Sequence, residues 1–260
     1  MKANSFVKVK SLEEAYKLMK ASPKNKIVGG GLWLKKGNAA VDTLIDLSLL
    51  GLDKIEDKGE WVSIGAMVSQ RALEKSELVK EIGGGIINQA TSEIMGPAFR
   101  ELATVGGSVY GKYGFSDLIT ALLAVKTKLV FYPDAELSLE EYLAKPGFYD
   151  GILTHVLVKK CHPKTYFKKV KITALDYPIL NVAIHKCKKH SFVIVGSRPG
   201  VACIAKEASK YLDEGGKDFE KAAELAVNEL AFGDSIATKA DYRKQLAKVY
   251  IRRGLEEVSK

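Results

Sequence analysis

Lys26-Ile27-Val28-Gly29-Gly30-Gly31-Leu32-Trp33-Leu34 is a short apolar strand running into three consecutive glycines. Glycine lets a chain turn at positive φ and bring its backbone close to a neighbour. Successive exposed N–H groups can then form a concave nest for an anion such as phosphate. The stretch is neither Gly-x-Gly-x-x-Gly nor a P-loop, and alone it is equally the pattern of an ordinary tight turn. A second segment, Thr104-Val105-Gly106-Gly107-Ser108, places two glycines between hydroxyls, with Asp117 at the head of an apolar helical run. Two such loops can close on one extended dinucleotide, with the carboxylate accepting hydrogen bonds from sugar-like hydroxyls. A third stretch, Gly83-Gly84-Gly85, has no flanking hydroxyls and reads as a loop before a helix.

Outward from these loops the pattern is mixed. Ser11-Leu12-Glu13-Glu14 is a capping-box signal for a helix that should stop near Pro23. Short strands are expected over 26–28, 43–46, 61–65, 128–132 and 152–158. Helices are expected after Ser69, over 85–95, from Asp117 and after Ser138. Beyond Lys160 the character changes to three strands, 166–171, 179–186 and 192–195, followed by helices over 201–212, 218–231 and 240–258. The fold class is therefore α+β, with a first domain over 1–160 (lobes about 1–56 and 57–160). A second domain over 161–260 is a small three-stranded antiparallel sheet plus helices.

The chain has 260 residues and a formal charge of +9. Its lysines are scattered, and their short clusters lack the aromatic interleaving of a single-strand-binding platform. No nucleic-acid partner is expected. No apolar run approaches the ~20 residues that span a bilayer, and no apolar signal region follows Met1-Lys2-Ala3-Asn4-Ser5, so a cytoplasmic protein is expected, with no membrane partner. The three cysteines, Cys161, Cys187 and Cys203, are spread along the chain without a Cys-x-x-Cys, which argues against a disulfide framework or an iron–sulfur cluster on this polypeptide. His185-x-Cys187-x-x-His190 has no evident fourth ligand and reads as incidental rather than as a metal site.

In order and spacing, several motifs resemble the FAD-binding medium subunit of the molybdenum hydroxylases, the xanthine dehydrogenase and carbon monoxide dehydrogenase type. Val28-Gly29-Gly30-Gly31-Leu32-Trp33 stands where that family has Ala-Gly-Gly-Thr-Asp-Leu. Asp46-Leu47-Ser48 and Ile64-Gly65-Ala66 follow in the family's order. Phe99-Arg100-Glu101-Leu102-Ala103-Thr104-Val105-Gly106-Gly107-Ser108 resembles its second signature, with Asp117 nine residues beyond Ser108. Asp241-Tyr242-Arg243 and Arg252-Arg253 match its C-terminal segment.

The resemblance implies a two-lobed vanillyl-alcohol-oxidase-like FAD-binding domain. Lys26, Ile27, Val28, Gly29, Gly30, Gly31, Leu32, Trp33 and Leu34 would wrap the pyrophosphate and adenine side. Thr104, Gly106, Gly107 and Ser108 would complete the cradle, and Asp117 would accept from ribityl or ribose hydroxyls. Ile94 and Leu153 would lie against the flavin, with Lys168 near the isoalloxazine or the phosphates. The implied function is electron relay. A partner subunit with two [2Fe-2S] clusters and a molybdopterin-binding large subunit would deliver electrons through FAD to NAD⁺ or another acceptor. No catalytic side chain and no metal ligand is expected on this chain. The sequence also departs from the pattern. Gly31-Leu32 replaces Thr-Asp, Ser108 replaces Asn, Glu101 replaces Asn and Ala103 replaces Gly. A scaffold subunit that has lost its flavin would show the same departures.

Overall fold

The computed structural model describes residues 2–37 and 40–260, which form three sheets. In the first sheet β1 (Lys2–Lys8), β3 (Ala40–Asp46) and β2 (Lys26–Val28) lie parallel in the order β1-β3-β2. Parallel neighbours need crossovers, and the helix Leu12–Ala21 is one of them. Ser11 caps it by accepting from the Glu14 amide, while the Glu14 carboxylate reaches back to the Lys10 N–H at 2.8 Å. The other crossover, after β2, carries the first glycine loop. β1 went unread in the sequence because it is an edge strand with nearly every side chain in solvent, and so shows no buried alternation.

The second sheet is antiparallel. It comprises β4 (Ile55–Lys58), β5 (Trp61–Gly65), β6 (Thr127–Tyr132), β7 (Ala135–Ser138) and β8 (Ile152–Lys159), in the order β4-β5-β8-β6-β7. Thr127, Leu129 and Phe131 of β6 alternate into the core, the period-2 signature of a half-buried strand. Helices cover its inner face. Among them Asp117–Leu123 is buried at every residue, which is why it reads as a continuous apolar run. The helix expected over 85–95 is Ile86–Ser92. A second one, Pro97–Leu102, follows a turn and starts with proline at its first position, where a missing N–H does no harm.

The third sheet has four strands where three were expected. They are β9 (Lys164–Val170), β10 (Leu180–Lys186), β11 (Ser191–Gly196) and a two-residue edge strand β12 (Cys203–Ile204), in the order β12-β11-β10-β9. The sheet is buried on both faces. Phe167, Ala183 and Ile194 point into the core of the second lobe. Val182, Ile184, Val193 and Val195 point the other way, against the helices Lys206–Asp213, Phe219–Glu229 and Ala240–Ser259. Each such Val or Ile contributes roughly 1.5–3 kcal/mol on burial, so this sheet is fixed firmly against those helices. No helix among the described residues is long and apolar enough to cross a membrane.

Candidate functional site

A cleft of about 560 Å³ opens where the three sheets converge. That volume lies in the range of small-molecule and cofactor sites. Its walls include the loop after β2, the segment 103–108, Asp117, Ile152 and Leu153 from β8, and Lys169 from β9.

The two glycine loops meet here. A Cβ on Gly29 would lie 2.4 Å from Thr104 Oγ1, and one on Gly30 would lie 1.5 Å from the Leu102 carbonyl oxygen. Only glycines let the first loop press so closely on the second lobe. Gly31 turns the chain at φ +68°. Among the described residues, the N–H groups of Gly29, Gly30, Gly31, Leu32 and Trp33 donate to no protein acceptor. All five residues line the cleft, as do Lys26, Ile27 and Leu34; Val28 is not part of its wall.

The second loop is built differently. Val105 N–H donates to Val68 O at 2.9 Å and Gly106 N–H to Ala66 O at 2.8 Å. Gly107 N–H is taken by the capping Thr104 hydroxyl at 3.1 Å, and Ser108 N–H by Thr104 O. Thr104, Gly106, Gly107 and Ser108 all line the cleft, but the amides of Gly106, Gly107 and Ser108 are engaged, so this loop does not offer the free amides expected of it. The second loop instead supplies the surface against which the first is pressed.

Asp117 starts its helix with its side chain only 3% exposed, 2.7 Å from the ammonium of Lys169, which is 1% exposed. Lys169 also donates to Glu93 O at 3.0 Å. Burial pushes the Asp117 carboxyl up to about 6, against the pull of Lys169. Its second oxygen, Oδ1, is buried and completes no hydrogen bond, although the side chain of Asn181 lies close enough to help Lys169 favour the charged form. Lys168, the expected basic residue, is not part of the cleft wall, whereas Lys169 is. Lys168 points away, with its ammonium 5.7 Å from the Tyr250 ring centroid. Successive side chains of a strand face opposite sides, so Lys169 reaches the cleft and Lys168 the C-terminal helix.

Ile94 and Leu153 both line the cleft. Ile94 is held by Arg100, whose guanidinium donates to Ile94 O at 2.8 Å and Met95 O at 3.2 Å and pairs with Glu74 at 2.9 Å. Burial pushes the Glu74 carboxyl up, yet Arg71 and Arg100 hold it below the ordinary range. At the mouth, Trp33 packs on Tyr113, Phe115 and Tyr177 with ring centroids 5.1–5.7 Å apart, tying together three distant segments. One cleft residue carried no sequence signal. Gln70, the first residue of the helix Gln70–Lys75, is buried and reads in sequence only as the position after a cap. The histidines of the 185–190 segment have separate partners, Ala124 O for His185 and Asp213 for His190.

The fold is α+β with several sheets and helices. Residues 2–160 match the family model described as FAD binding domain in molybdopterin dehydrogenase, and the chain belongs to that family, the flavoprotein subunits of molybdenum hydroxylases. Carbon monoxide dehydrogenase from Hydrogenophaga pseudoflava has a chain of the same fold, with TM-score 0.89, 21% identity and coverage of 98% of this chain and 96% of that one. Quinoline 2-oxidoreductase from Pseudomonas putida 86 has another, with TM-score 0.87, 20% identity and coverage of 98% and 96%. In sequence, the uncharacterized protein YgfM of Escherichia coli (strain K12) is 25% identical over 182 residues, 69% of this chain and 68% of that protein. The glyceraldehyde dehydrogenase medium chain of Sulfolobus acidocaldarius is 24% identical over 196 residues, again 69% and 68%.

Proposed function

We propose that this chain holds FAD in the three-sided cleft and serves as the electron-transferring subunit of a molybdenum-hydroxylase-type complex. The observation that carries the proposal is the asymmetry of the cleft. One side is lined by five residues whose backbone N–H groups find no acceptor among the described residues, and the interior holds a buried carboxylate oxygen, Asp117 Oδ1, that completes no hydrogen bond. Unengaged amides suit the acceptor-only oxygens of a diphosphate. An orphaned buried acceptor costs about 1–3 kcal/mol unless a ligand donor reaches it, and hydroxyl-bearing ribityl or ribose groups supply such donors. The residues present therefore fit FAD, although Gly31 and Leu32 offer backbone alone where relatives offer Thr-Asp side chains.

The roles follow from position. Gly29 to Trp33 bind the diphosphate through their amides. Asp117, oriented by Lys169, accepts from a sugar or ribityl hydroxyl. Ile94 and Leu153 supply apolar contact for the ring system, and Trp33, Tyr113, Phe115 and Tyr177 shield the mouth from water. FAD, when bound, supplies chemistry that accepts electrons singly or in pairs, while the protein binds, orients and tunes it. No side-chain acid or base is required of this chain. Electrons would come from [2Fe-2S] clusters on a small partner subunit, fed by a molybdopterin-binding large subunit, and would leave to NAD⁺ or another acceptor. The test is titration of the purified chain with FAD, followed by quenching of flavin fluorescence. Saturable binding at micromolar affinity or tighter is expected. Absence of saturable binding would leave the chain as a scaffold subunit.

A further inference from the structure

We infer that Gln70 is a cofactor-positioning residue whose carboxamide oxygen accepts a hydrogen bond from a hydroxyl of the ribityl chain or ribose of bound FAD. This rests on the reading of the cleft as an FAD site and adds a residue to it. Gln70 is 4% exposed and lines the cleft. Its backbone N–H is tied to Ala103 O at 2.7 Å, so the side chain starts from a fixed point directly under the second loop. Its Nε2 donates to Ser108 Oγ at 2.8 Å, and its Oε1 is buried with no hydrogen-bond partner.

An amide oxygen and nitrogen are easily interchanged, but here the network fixes them. Ser108 Oγ donates its one proton to Thr104 O at 2.8 Å. A hydroxyl has a single proton to give, so Ser108 can only accept from Gln70. The amide nitrogen must therefore face Ser108, and the oxygen is the atom left over. An apolar side chain would avoid the penalty of a buried orphaned acceptor. The chemistry of the missing donor is narrow. Phosphate oxygens accept and cannot satisfy a carbonyl. Within FAD the donors that extend alongside the diphosphate are the hydroxyls of its two sugar-like parts, and Gln70 sits beside the loop on which the diphosphate strand of the cleft abuts.

The experiment compares native protein, Gln70→Met and Gln70→Glu, each titrated with FAD, FMN and ADP, with melting curves taken with and without FAD. Gln70→Met is expected to bind FAD about ten-fold more weakly, the effect of one lost hydrogen bond. The weakening should be shared by FMN alone if the ribityl chain is read, or by ADP alone if the ribose is read. Without cofactor it should melt no lower than the native chain, because an orphaned acceptor has been removed, while its FAD-induced rise in melting temperature shrinks. Gln70→Glu, titrated at acid pH where its carboxyl is protonated and can donate to Ser108 while still presenting an acceptor oxygen, should recover the loss. FAD affinity of Gln70→Met within about two-fold of native, equal weakening of FMN and ADP together with a lower melting temperature, or no recovery in Gln70→Glu would each overturn the inference. If Gln70→Met does not fold, recovery is judged in Gln70→Glu against the native chain. Failure of native protein to bind FAD would instead refute the proposed function, so the two failures are distinguishable.

Discussion

Replacing Gly30 by alanine tests whether the two lobes are held at the spacing the cleft requires. The new Cβ would stand 1.5 Å from the Leu102 carbonyl oxygen, where real Cβ contacts stay beyond 3.0 Å, so the loop must retreat by at least 1.5 Å. The obstacle is backbone and cannot rotate away. Overpacking of this kind costs about 1–3 kcal/mol, which for a chain of this size lowers the melting temperature by roughly 5 °C. The effect on cofactor binding is larger. Amides that retreat by that distance lose hydrogen bonds to a charged diphosphate, each worth about 1.5–3 kcal/mol, so losing two weakens FAD by at least roughly 100-fold. Gly37→Ala is the control in the same crossover. There φ is −75° and the nearest atom to a new Cβ, Leu34 O, is 3.5 Å away, so stability should change by less than about 0.5 kcal/mol. Calorimetry and fluorescence titration read both variants. If Gly30→Ala melted and bound FAD like Gly37→Ala, the tight inter-lobe contact would not be what sets the cleft.

Two further predictions concern the buried pair. Lys169→Met leaves Asp117 buried without its cation and should destabilise the chain by about 3–5 kcal/mol and abolish FAD binding, whereas Lys168→Met should do neither; equal effects in denaturant melts would show that the strand register is wrong. Because burial raises Asp117 to about 6 in the folded chain, above its ordinary value of 3.8, the folded state holds this proton more tightly than the unfolded state. Its favourable contribution is complete at pH below the unfolded value and is lost as pH rises through about 6. The charges facing it are Lys169 and Glu93, the latter paired with Lys171. Urea midpoints of the cofactor-free protein from acid to neutral pH should show this loss, and Asp117→Asn should flatten it; an unchanged slope in the variant would assign the titration elsewhere.

Glycine runs flanked by a strand or by hydroxyls announced both loops, because close backbone approach leaves a compositional trace. What they do once folded was only half legible. The sequence shows that Gly106 and Gly107 are small, but not that Val68 O and Ala66 O already accept from the Val105 and Gly106 amides, since those partners arrive through tertiary packing. Lys168 and Lys169 differ only in strand parity, and because the residues two places before them, Tyr166 and Phe167, are both aromatic, the sequence did not show which face turns to the cleft. Gln70 was silent because a polar residue after a serine cap is the commonest of surface patterns, and only burial distinguishes it. β1, β4, β7 and β12 escaped for the opposite reason, being edge strands whose pairing contributes no alternation of their own.

The close contact between lobes and the free amides are one device rather than two. Gly29 and Gly30 turn their Cα hydrogens to Thr104 and Leu102, and the same two residues, whose N–H groups find no acceptor among the described residues, line the cleft. The third sheet completes the site from beyond the segment that matches the family model. Lys169 and Tyr177 lie past residue 160, and without Lys169 the carboxylate of Asp117 would be buried in the second lobe with no cation. A buried, unpaired carboxylate is among the most expensive arrangements a core can hold. The docking of the third sheet onto the helix that begins at Asp117 is therefore coupled to the formation of the cleft, and a change that loosens that sheet should be felt first in FAD titrations, before the fold itself gives way.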